Sequence, residues 1–172
     1  HMNIDQRHIY HYGSQGVRDE GWGCVYRNIQ TMRAMNNMAI PTISTMQADI
    51  GIDPRGQGRN LWIEPVDARR YFPKNNTLVL YTTAPNPESY MLRTKLSDFD
   101  QVLRSTTDTD AFLSTCLANK RQVLIDDSVY SYLLVDIIDG LYIYVDPHRQ
   151  QHHVQSMTRD EFFNHKVWMM LC

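Results

Sequence analysis

Residues 19–31, which read DEGWGCVYRNIQT, decide the fold because a turn and a helix meet there at Cys24. Glycine adopts backbone angles that other residues avoid, so the letters GWG before the cysteine predict a tight turn. Apolar residues then recur at the spacing of one helix face: Val25, Ile29 and Met32. The sequence therefore predicts that Cys24 stands at the start of a helix that runs to about residue 36.

The position of Cys24 predicts a reactive thiol. The first N–H groups of a helix are unpaired and its dipole favours negative charge there, which lowers the pKa of a cysteine. A thiolate is a nucleophile, so this position favours covalent chemistry. The alternative is a buried and inert core residue, which is the commoner role of a single cysteine. A second motif is needed to separate the two interpretations.

That second motif is Asp146-Pro147-His148, which follows a predicted hairpin. Two segments rich in apolar and β-branched side chains, 132–138 and 141–145, are joined by an Asp-Gly pair that signals a type I′ turn. Alternate residues of an extended segment point to the same side, so Asp146 and His148 are predicted to face each other. A carboxylate fixes the orientation of a histidine, which then suits the role of base for a thiol.

Together the two motifs resemble those of the ubiquitin-fold-modifier-specific proteases, which are papain-like cysteine peptidases. The run GWGCVYRNIQT looks like their nucleophile segment, and the order Asp-Pro-His looks like their histidine segment. The resemblance extends from about Tyr10 to Cys172 and includes the pair Trp62-Ile63. It implies an α+β papain-like fold, in which a nucleophile helix packs on an antiparallel β-sheet.

The same resemblance implies catalytic roles for four residues. Cys24 would attack the substrate carbonyl, His148 would accept the thiol proton and Asp146 would orient His148. Tyr12 lies twelve residues before the cysteine, where these proteases place a tyrosine that helps to bind the oxyanion. Without the resemblance, Tyr12 is better explained as an aromatic side chain packed on the core. The resemblance implies no cofactor and no metal ion.

A narrow groove for an extended C-terminal tail is also implied by the resemblance. Trp22 is placed to form one wall, and residues 126–132 are placed to form the other. Family members commonly carry glycines where this chain has Asp126 and Asp127. This acidic pair would attract the arginine that ubiquitin carries before its Gly-Gly, whereas the mature ubiquitin-fold modifier ends in Val-Gly.

The predicted function is hydrolysis of the bond after the C-terminal glycine of a ubiquitin-like modifier. The ubiquitin-fold modifier is the expected substrate, in precursor processing, in deconjugation or in both. One alternative is a deubiquitinase of the related zinc-finger branch, whose histidine precedes its aspartate, but this chain has no histidine between Val123 and Asp146. Another is an autophagy-modifier protease, which also uses Asp-Pro-His but has a less similar cysteine segment. Outside the enzymes, the alternative is an inactive modifier-binding domain.

Composition favours a single folded domain without a nucleic-acid or membrane partner. The 172 residues include 17 basic and 19 acidic side chains, a net charge of −2, so there is no basic excess for nucleic acid or an anionic membrane. No apolar run approaches the ~20 residues that span a bilayer. We therefore expect one monomeric, cytoplasmic domain over residues 3–172, with His1-Met2 as an expression scar.

The cysteines and the remaining histidines predict neither a disulfide nor a metal site. Cys24, Cys116 and Cys172 are odd in number and far apart, which argues against a disulfide framework and favours a reducing compartment. Cys116 lies on the apolar face of a predicted helix and is interpreted as a core residue. His152 and His153 have no acidic or cysteine partners at metal-ligand spacing, so they are interpreted as surface residues.

The remaining segments are predicted to mix helices and strands, with no internal repeat and no linker. Periodicity and capping residues predict helices at 42–50, 61–72 and 108–118, a short helix that starts at residue 97, and a helix after the capping box of Thr158 and Glu161. Apolar and β-branched content predicts an edge strand at 3–12 and strands at 78–82, 122–125 and 167–171.

Overall fold

The structure, a computed structural model, describes residues 4–172. These residues contain five α-helices and seven β-strands. The helices are α1 (Cys24–Met35), α2 (Ile43–Ile50), α3 (Pro65–Ala68), α4 (Thr106–Ala118) and α5 (Arg159–Phe162). The strands are β1 (Leu78–Thr82), β2 (Gln101–Leu103), β3 (Val123–Asp126), β4 (Ser131–Ile138), β5 (Leu141–Val145), β6 (Val154–Thr158) and β7 (Val167–Leu171). The prediction that His1-Met2 is an expression scar lies outside the described residues.

The seven strands form one sheet in the order β2-β1-β7-β3-β4-β5-β6. Every neighbouring pair is antiparallel except β1 and β2, which run parallel. The predicted antiparallel sheet is therefore confirmed for six strands, and β2 adds a short parallel strand at one edge. The last strand in sequence, β7, lies in the interior of the sheet between β1 and β3.

Alternate residues of the strands fill two separate cores, one on each face of the sheet. Val167, Met169 and Leu171 of β7 belong to the core that contains α1, α2 and α3. Trp168 and Met170 belong to the core that contains α4 and α5. Both faces of β7 are buried, which explains why this segment is a continuous apolar run rather than an alternating one.

Helix α1 is enclosed on all sides. The eight consecutive residues from Val25 to Met32 are buried, although several of them are polar. A buried polar group needs a hydrogen-bond partner, and four buried polar side chains of the helix have one in a different segment, although Asn28 Oδ1 has none. The pairs are Arg27 with Asp19, Asn28 with Ser131, Gln30 with Pro41 and Thr31 with Tyr10. The helix thereby connects the surrounding loops to the sheet.

The predicted edge strand at the N-terminus is wrong for residues 4–12, and its first residue lies outside the described part. The Asp5 side chain caps a 3-10 turn, Gln6–His8, which interrupts an extended conformation. Further on, the Tyr12 backbone N–H donates to the Pro147 carbonyl over 2.8 Å. This segment is therefore tied to the loop that follows β5 instead of pairing with the sheet.

Three other segments differ from prediction. The helix predicted at 61–72 is reduced to the single turn α3, followed by a 3-10 turn at Arg69–Tyr71. The helix predicted from residue 97 is one 3-10 turn, Leu96–Asp98, which leads into β2. Strand β6 is absent from the prediction because its sequence, VQSMT, is mostly polar and its extended form depends on pairing with β5.

The predicted hairpin and capping box are confirmed. Asp139 and Gly140 join β4 to β5, and both have the positive φ that a type I′ turn requires. Thr158 Oγ1 accepts a hydrogen bond from the Glu161 amide at 3.1 Å, and Glu161 Oε1 accepts one from the Thr158 amide at 3.0 Å. Helices α1, α2 and α4 and strands β1, β3 and β7 also begin and end within two residues of their predicted bounds.

The prediction that the cysteines form no disulfide is wrong. Cys116 and Cys172 form a disulfide, with Cα atoms 6.4 Å apart although 56 residues separate them in sequence. Cys116 lies near the end of α4 and Cys172 follows β7, and both belong to the same core. The pairing depends on this packing, which the spacing in the sequence does not reveal. Cys116 is buried as predicted, and Cys24 is free.

Candidate active site

Asp19 builds the turn in front of Cys24. Its backbone carbonyl accepts hydrogen bonds from the amides of Trp22 and Gly23, at 3.1 and 2.9 Å. Its carboxylate lies so close to Gly23 that an added Cβ would overlap it. Position 23 therefore needs a glycine so that the Asp19 carboxylate can pack against its backbone. Gly21 has the positive φ, 86°, that the turn requires. Cys24 is the first residue of α1, as predicted.

A buried ion pair fixes this turn to the helix. Arg27 Nε donates to Asp19 Oδ2 at 2.8 Å, and both side chains are 0% exposed. Other guanidinium N–H groups donate to the Ser14 carbonyl at 2.9 Å and to Gln30 Oε1 at 3.1 Å. The Gly13 amide donates to Asp19 Oδ1 at 2.9 Å. A buried pair of charges needs such hydrogen bonding to offset its desolvation. Sequence reasoning missed this pair, although both charges lie in the stretch DEGWGCVYRNIQT.

Asp146 and His148 are paired as predicted, but by a turn rather than by an extended segment. Asp146 Oδ1 lies 2.6 Å from His148 Nδ1 and also accepts a hydrogen bond from the His148 amide at 3.0 Å. Burial acts to raise the pKa of Asp146, but His148 and Arg149 outweigh it, so the pKa lies below its usual value. The carboxylate is therefore ionised at neutral pH and holds His148 through Nδ1, which leaves Nε2 for a reaction.

Tyr12 joins the cysteine side of the site to the histidine side. Its amide is bound to the Pro147 carbonyl, and its ring lies perpendicular to that of His148, with centroids 5.1 Å apart. Its hydroxyl faces Cys24 and the Gly21 amide. Burial is the largest cause that raises the pKa of Tyr12 well above its usual value, so the hydroxyl stays protonated as a donor. This placement suits the oxyanion role, which stays a prediction.

The predicted lowering of the Cys24 pKa is wrong. Burial of the thiol and the nearby Asp126 raise the pKa of Cys24 to about 12. The amides of Ser131 and Val25 and the Tyr12 hydroxyl act in the opposite direction without outweighing these two causes. The helix N-terminus does not decide the state of the thiol, because Cys24 is only partly exposed to water and Asp126 lies nearby. The resting thiol is protonated at neutral pH and needs a base to become a nucleophile.

The acidic pair at the end of β3 is not a free surface charge. Asp126 is 6% exposed, and its Oδ1 accepts a hydrogen bond from the Ser128 amide at 2.7 Å. Burial raises the pKa of Asp126 well above its usual value. Asp127 Oδ2 lies 3.0 Å from His165 Nδ1, and its Oδ1 accepts hydrogen bonds from two amides of the following turn. The attraction expected for a substrate arginine is therefore weak, and the substrate-binding roles of both residues stay predictions.

Two tryptophans lie beside Cys24: Trp22 is part of the turn before it, and Trp62 contacts that turn. The Trp22 ring packs perpendicular to that of Tyr26, with centroids 5.6 Å apart, and is partly exposed. Trp62 Nε1 donates to the Gly21 carbonyl at 3.0 Å. The groove wall assigned to Trp22 stays a prediction. The bond from Trp62 gives a structural reason for the Trp-Ile pair in the sequence, because it supports the turn that presents the cysteine.

Of the two histidines interpreted as surface residues, His152 is exposed and His153 is only partly so. The His153 ring stacks on that of His11, with centroids 5.1 Å apart, and its Nε2 is buried without a hydrogen-bond partner. Within residues 4–172, no group of three or more His, Cys, Asp or Glu side chains is arranged to hold a metal ion. No helix among these described residues is long and apolar enough to cross a membrane.

Asp126 and Asp127 are expected to affect stability in opposite directions. The raised pKa of Asp126 contributes stability that is present below the unfolded value of ~3.9 and is lost as the pH rises through the folded value. Burial acts to raise the pKa of Asp127, but the bond to His165 and backbone amides outweigh it and lower the pKa. That lowered pKa contributes stability that is present above ~3.9 and is lost as the pH falls through the folded value.

At about pH 8, Asp126→Asn should therefore raise Tm and Asp127→Asn should lower it. Each change should be about 2–4 °C, the shift that ~1 kcal/mol produces in a chain of this size. Thermal unfolding followed by circular dichroism measures both variants and the parent, and at about pH 3 the Asp126 variant should match the parent. A lower Tm for both variants at about pH 8 would contradict the cause assigned to Asp126.

A free cysteine begins a buried helix, an ionised aspartate holds a histidine, and a tyrosine contacts both sides of the site. On this α+β sheet, the arrangement resembles the active site of a papain-like cysteine peptidase. Within that class the chain resembles the Ufm1-specific proteases, where Ufm1 is the ubiquitin-fold modifier. Comparisons with known proteins confirm the resemblance.

The sequence comparisons concentrate on the N-terminal part of the chain. The family model of Peptidase family C78 matches residues 3–51, which include Tyr12 and Cys24. The mouse protein "Ufm1-specific protease 1" is 36% identical over 66 residues, which cover 34% of this chain and 30% of the mouse protein. The Drosophila melanogaster protein "Probable Ufm1-specific protease 2" is 46% identical over 41 residues, which cover 20% of this chain and 7% of the fly protein. The chain thus spans less than a third of the length of these curated relatives.

The structural comparison supports the fold over almost the whole chain. The crystal structure of UfSP from C. elegans superposes with a TM-score of 0.63 and covers 95% of this chain and 32% of that chain. Sequence identity in this comparison is 16%, so the match concerns the fold alone. The predicted α+β papain-like fold is confirmed.

Proposed function

We propose that this chain hydrolyses the bond after the C-terminal glycine of a ubiquitin-like modifier, with the ubiquitin-fold modifier as its preferred substrate. The observation that carries the proposal is the position of Tyr12, which contacts Cys24 through its hydroxyl and His148 through its ring. This position supports a site in which Cys24 is the nucleophile, His148 held by Asp146 is the base and Tyr12 is the oxyanion donor. The printed names of the mouse and fly relatives support the choice of modifier.

Because the resting thiol is protonated, the reaction begins with transfer of its proton to His148 Nε2. Cys24 Sγ then bonds to the glycine carbonyl carbon, and the Tyr12 hydroxyl donates to the oxyanion. Collapse of this intermediate breaks the C–N bond, and His148 returns the proton to the leaving amine. Water attacks the resulting thioester with His148 as base, which releases the modifier carboxylate and restores the thiol. Asp146 keeps the imidazole in one orientation throughout.

The acidic pair does not favour ubiquitin as the substrate. Burial raises the pKa of Asp126, and Asp127 is bound to His165, so neither carboxylate is available for the arginine near the ubiquitin C-terminus. The Val-Gly end of the ubiquitin-fold modifier needs no such partner. Precursor processing, deconjugation, a cytoplasmic location and a monomeric state all remain predictions of the sequence.

The test is a side-by-side reaction with two probes, the ubiquitin-fold modifier and ubiquitin, each carrying a thiol-reactive group at its C-terminus. The first probe should label the protein at Cys24 and the second should not, as read by a mass shift on a denaturing gel and by peptide mapping. Cys24→Ala is the control and should abolish labelling. Labelling by the ubiquitin probe alone would reverse the choice of substrate.

A second candidate function is modifier binding without catalysis, which the raised pKa of the Cys24 thiol favours. In that case neither probe should label Cys24, while the modifier still binds in a pull-down and iodoacetamide still reaches the thiol at alkaline pH. Turnover of a precursor with a cleavable C-terminal extension would exclude this candidate.

A further inference from the structure

Three tyrosine rings surround the His148 imidazole. The centroids of Tyr12, Tyr130 and Tyr132 lie 5.1, 5.2 and 5.7 Å from the His148 centroid, and the interplanar angles are 87°, 86° and 71°. These are the separations and near-perpendicular angles that aromatic rings prefer. The proposed chemistry uses the Tyr12 hydroxyl, and Tyr132 also packs on Tyr144 in the sheet, with centroids 4.7 Å apart. The proposed reaction gives Tyr130 no role.

Tyr130 is held in place although it lies at the surface. It is 50% exposed and lies in the turn between β3 and β4. The Tyr130 amide donates to Asp127 Oδ1 at 2.7 Å, and the Tyr130 carbonyl accepts from the Asp127 amide at 3.0 Å. Asp127 is itself bound to His165 across 3.0 Å. Ser128 completes the turn with a φ of 82°, which a serine rarely adopts. Such a constrained turn fixes where the Tyr130 ring points.

The position of that ring matters because the Asp146–His148 pair lies close to the surface. The His148 side chain is 19% exposed and the Asp146 side chain is 11% exposed. Water that reached their 2.6 Å bond would compete with it and would allow the imidazole to turn. The Tyr130 ring, perpendicular to the imidazole, both covers it and limits its rotation.

We propose that Tyr130 is a positioning residue, whose ring keeps the His148 imidazole in the orientation in which it binds Asp146 and shields that bond from water. For its effect on turnover the inference rests on the proposed function, but its effect on the orientation of His148 against Asp146 does not. The competing explanation is that Tyr130 only lines the groove for the substrate tail. A groove residue would change KM and would leave the reactivity of Cys24 toward a small reagent unchanged.

The test uses three variants and a reagent that needs no modifier. Tyr130→Leu removes the ring but keeps apolar bulk, and Tyr130→Phe keeps the ring. Tyr90→Leu is the matched control, because it removes a tyrosine that is 36% exposed in a different surface loop. Alkylation of Cys24 by iodoacetamide is measured from about pH 6 to pH 10 by mass spectrometry. Below the pH at which the thiol ionises unaided, this rate depends on proton transfer to a correctly placed His148.

Tyr130→Leu should lower that rate about three- to tenfold at neutral pH and change the shape of the pH profile, the range expected for loss of one aromatic contact. Tyr130→Phe and Tyr90→Leu should keep the parent profile. Where modifier cleavage is observed, Tyr130→Leu should lower kcat by a similar factor and leave KM nearly unchanged.

An unchanged alkylation profile for Tyr130→Leu, in a variant with the parent circular dichroism spectrum, would overturn the inference. An increased KM alone would do the same and would assign Tyr130 to the groove. A changed profile in a protein that cleaves neither modifier would sustain the positioning role and reject the proposed function. The two ideas therefore fail separately.

Discussion

Exchange of Tyr12 for phenylalanine is expected to lower kcat for modifier cleavage about 10²–10³-fold, the usual effect of losing one oxyanion donor. The hydroxyl faces Cys24, where the negative oxygen of the intermediate forms, and burial keeps it protonated. Phenylalanine retains the ring that packs perpendicular to His148, so the histidine should keep its place. Because the lost hydrogen bond forms in the transition state, KM should change little.

Steady-state cleavage of a precursor with a fluorescent C-terminal leaving group measures this effect. Tyr10→Phe is the matched control, because Tyr10 is a nearby tyrosine whose backbone amide, not its hydroxyl, is bound to Thr31. The control should retain the parent kcat. A normal kcat with a raised KM for Tyr12→Phe would make Tyr12 a packing or binding residue, as its sequence context alone suggests.

The largest loss of stability is expected when Arg27 is replaced by methionine. This change leaves the Asp19 carboxylate buried without its 2.8 Å partner. Breaking a buried ion pair in this way typically lowers the free energy of unfolding by about 3–5 kcal/mol. Asp19 also accepts the hydrogen bonds that form the turn before Cys24. In the variant molecules that stay folded, Cys24 should therefore react with iodoacetamide at more than one rate.

Urea denaturation of the parent and the variant measures the loss. Arg55→Met is the matched control, since Arg55 pairs with Asp53 at 3.1 Å but both side chains are largely exposed. That pair lies in water, and the control should leave the free energy of unfolding nearly unchanged. Equal midpoints for the two variants would show that the buried pair does not stabilise the turn.

Features that depend on local patterns were predictable from the sequence. The GWG turn and the start of α1 depend on glycine geometry and helix periodicity within a few residues. Asp139-Gly140 specifies the β4–β5 turn, and Thr158 with Glu161 specifies the start of α5, for the same reason. The Asp146–His148 pair was also predictable, although the backbone reaches it by a turn, because two residues so close in sequence need little tertiary help.

Features that depend on distant contacts were not predictable. The pKa of Cys24 is raised by burial and, after it, by Asp126, which β3 brings near from more than a hundred residues away. The Cys116–Cys172 disulfide requires α4 to pack beside the end of β7. Strands β2 and β6 are short or polar and are extended because a neighbouring strand pairs with them. Each case is a tertiary effect that outweighs a local tendency.

The interior position of β7 has a consequence for the order in which the protein is made. Residues 19–31 are synthesised before every strand of the sheet, and the sheet that α1 packs against lacks its inner strand until Val167–Leu171 have been added. Until then β1 and β3 have no partner between them, and the eight buried residues of α1 have no completed core. Pairing between such distant segments is slow to form. A nascent chain therefore carries Cys24 without its completed surroundings, and the arrangement around Cys24 arises only once β7 has been synthesised.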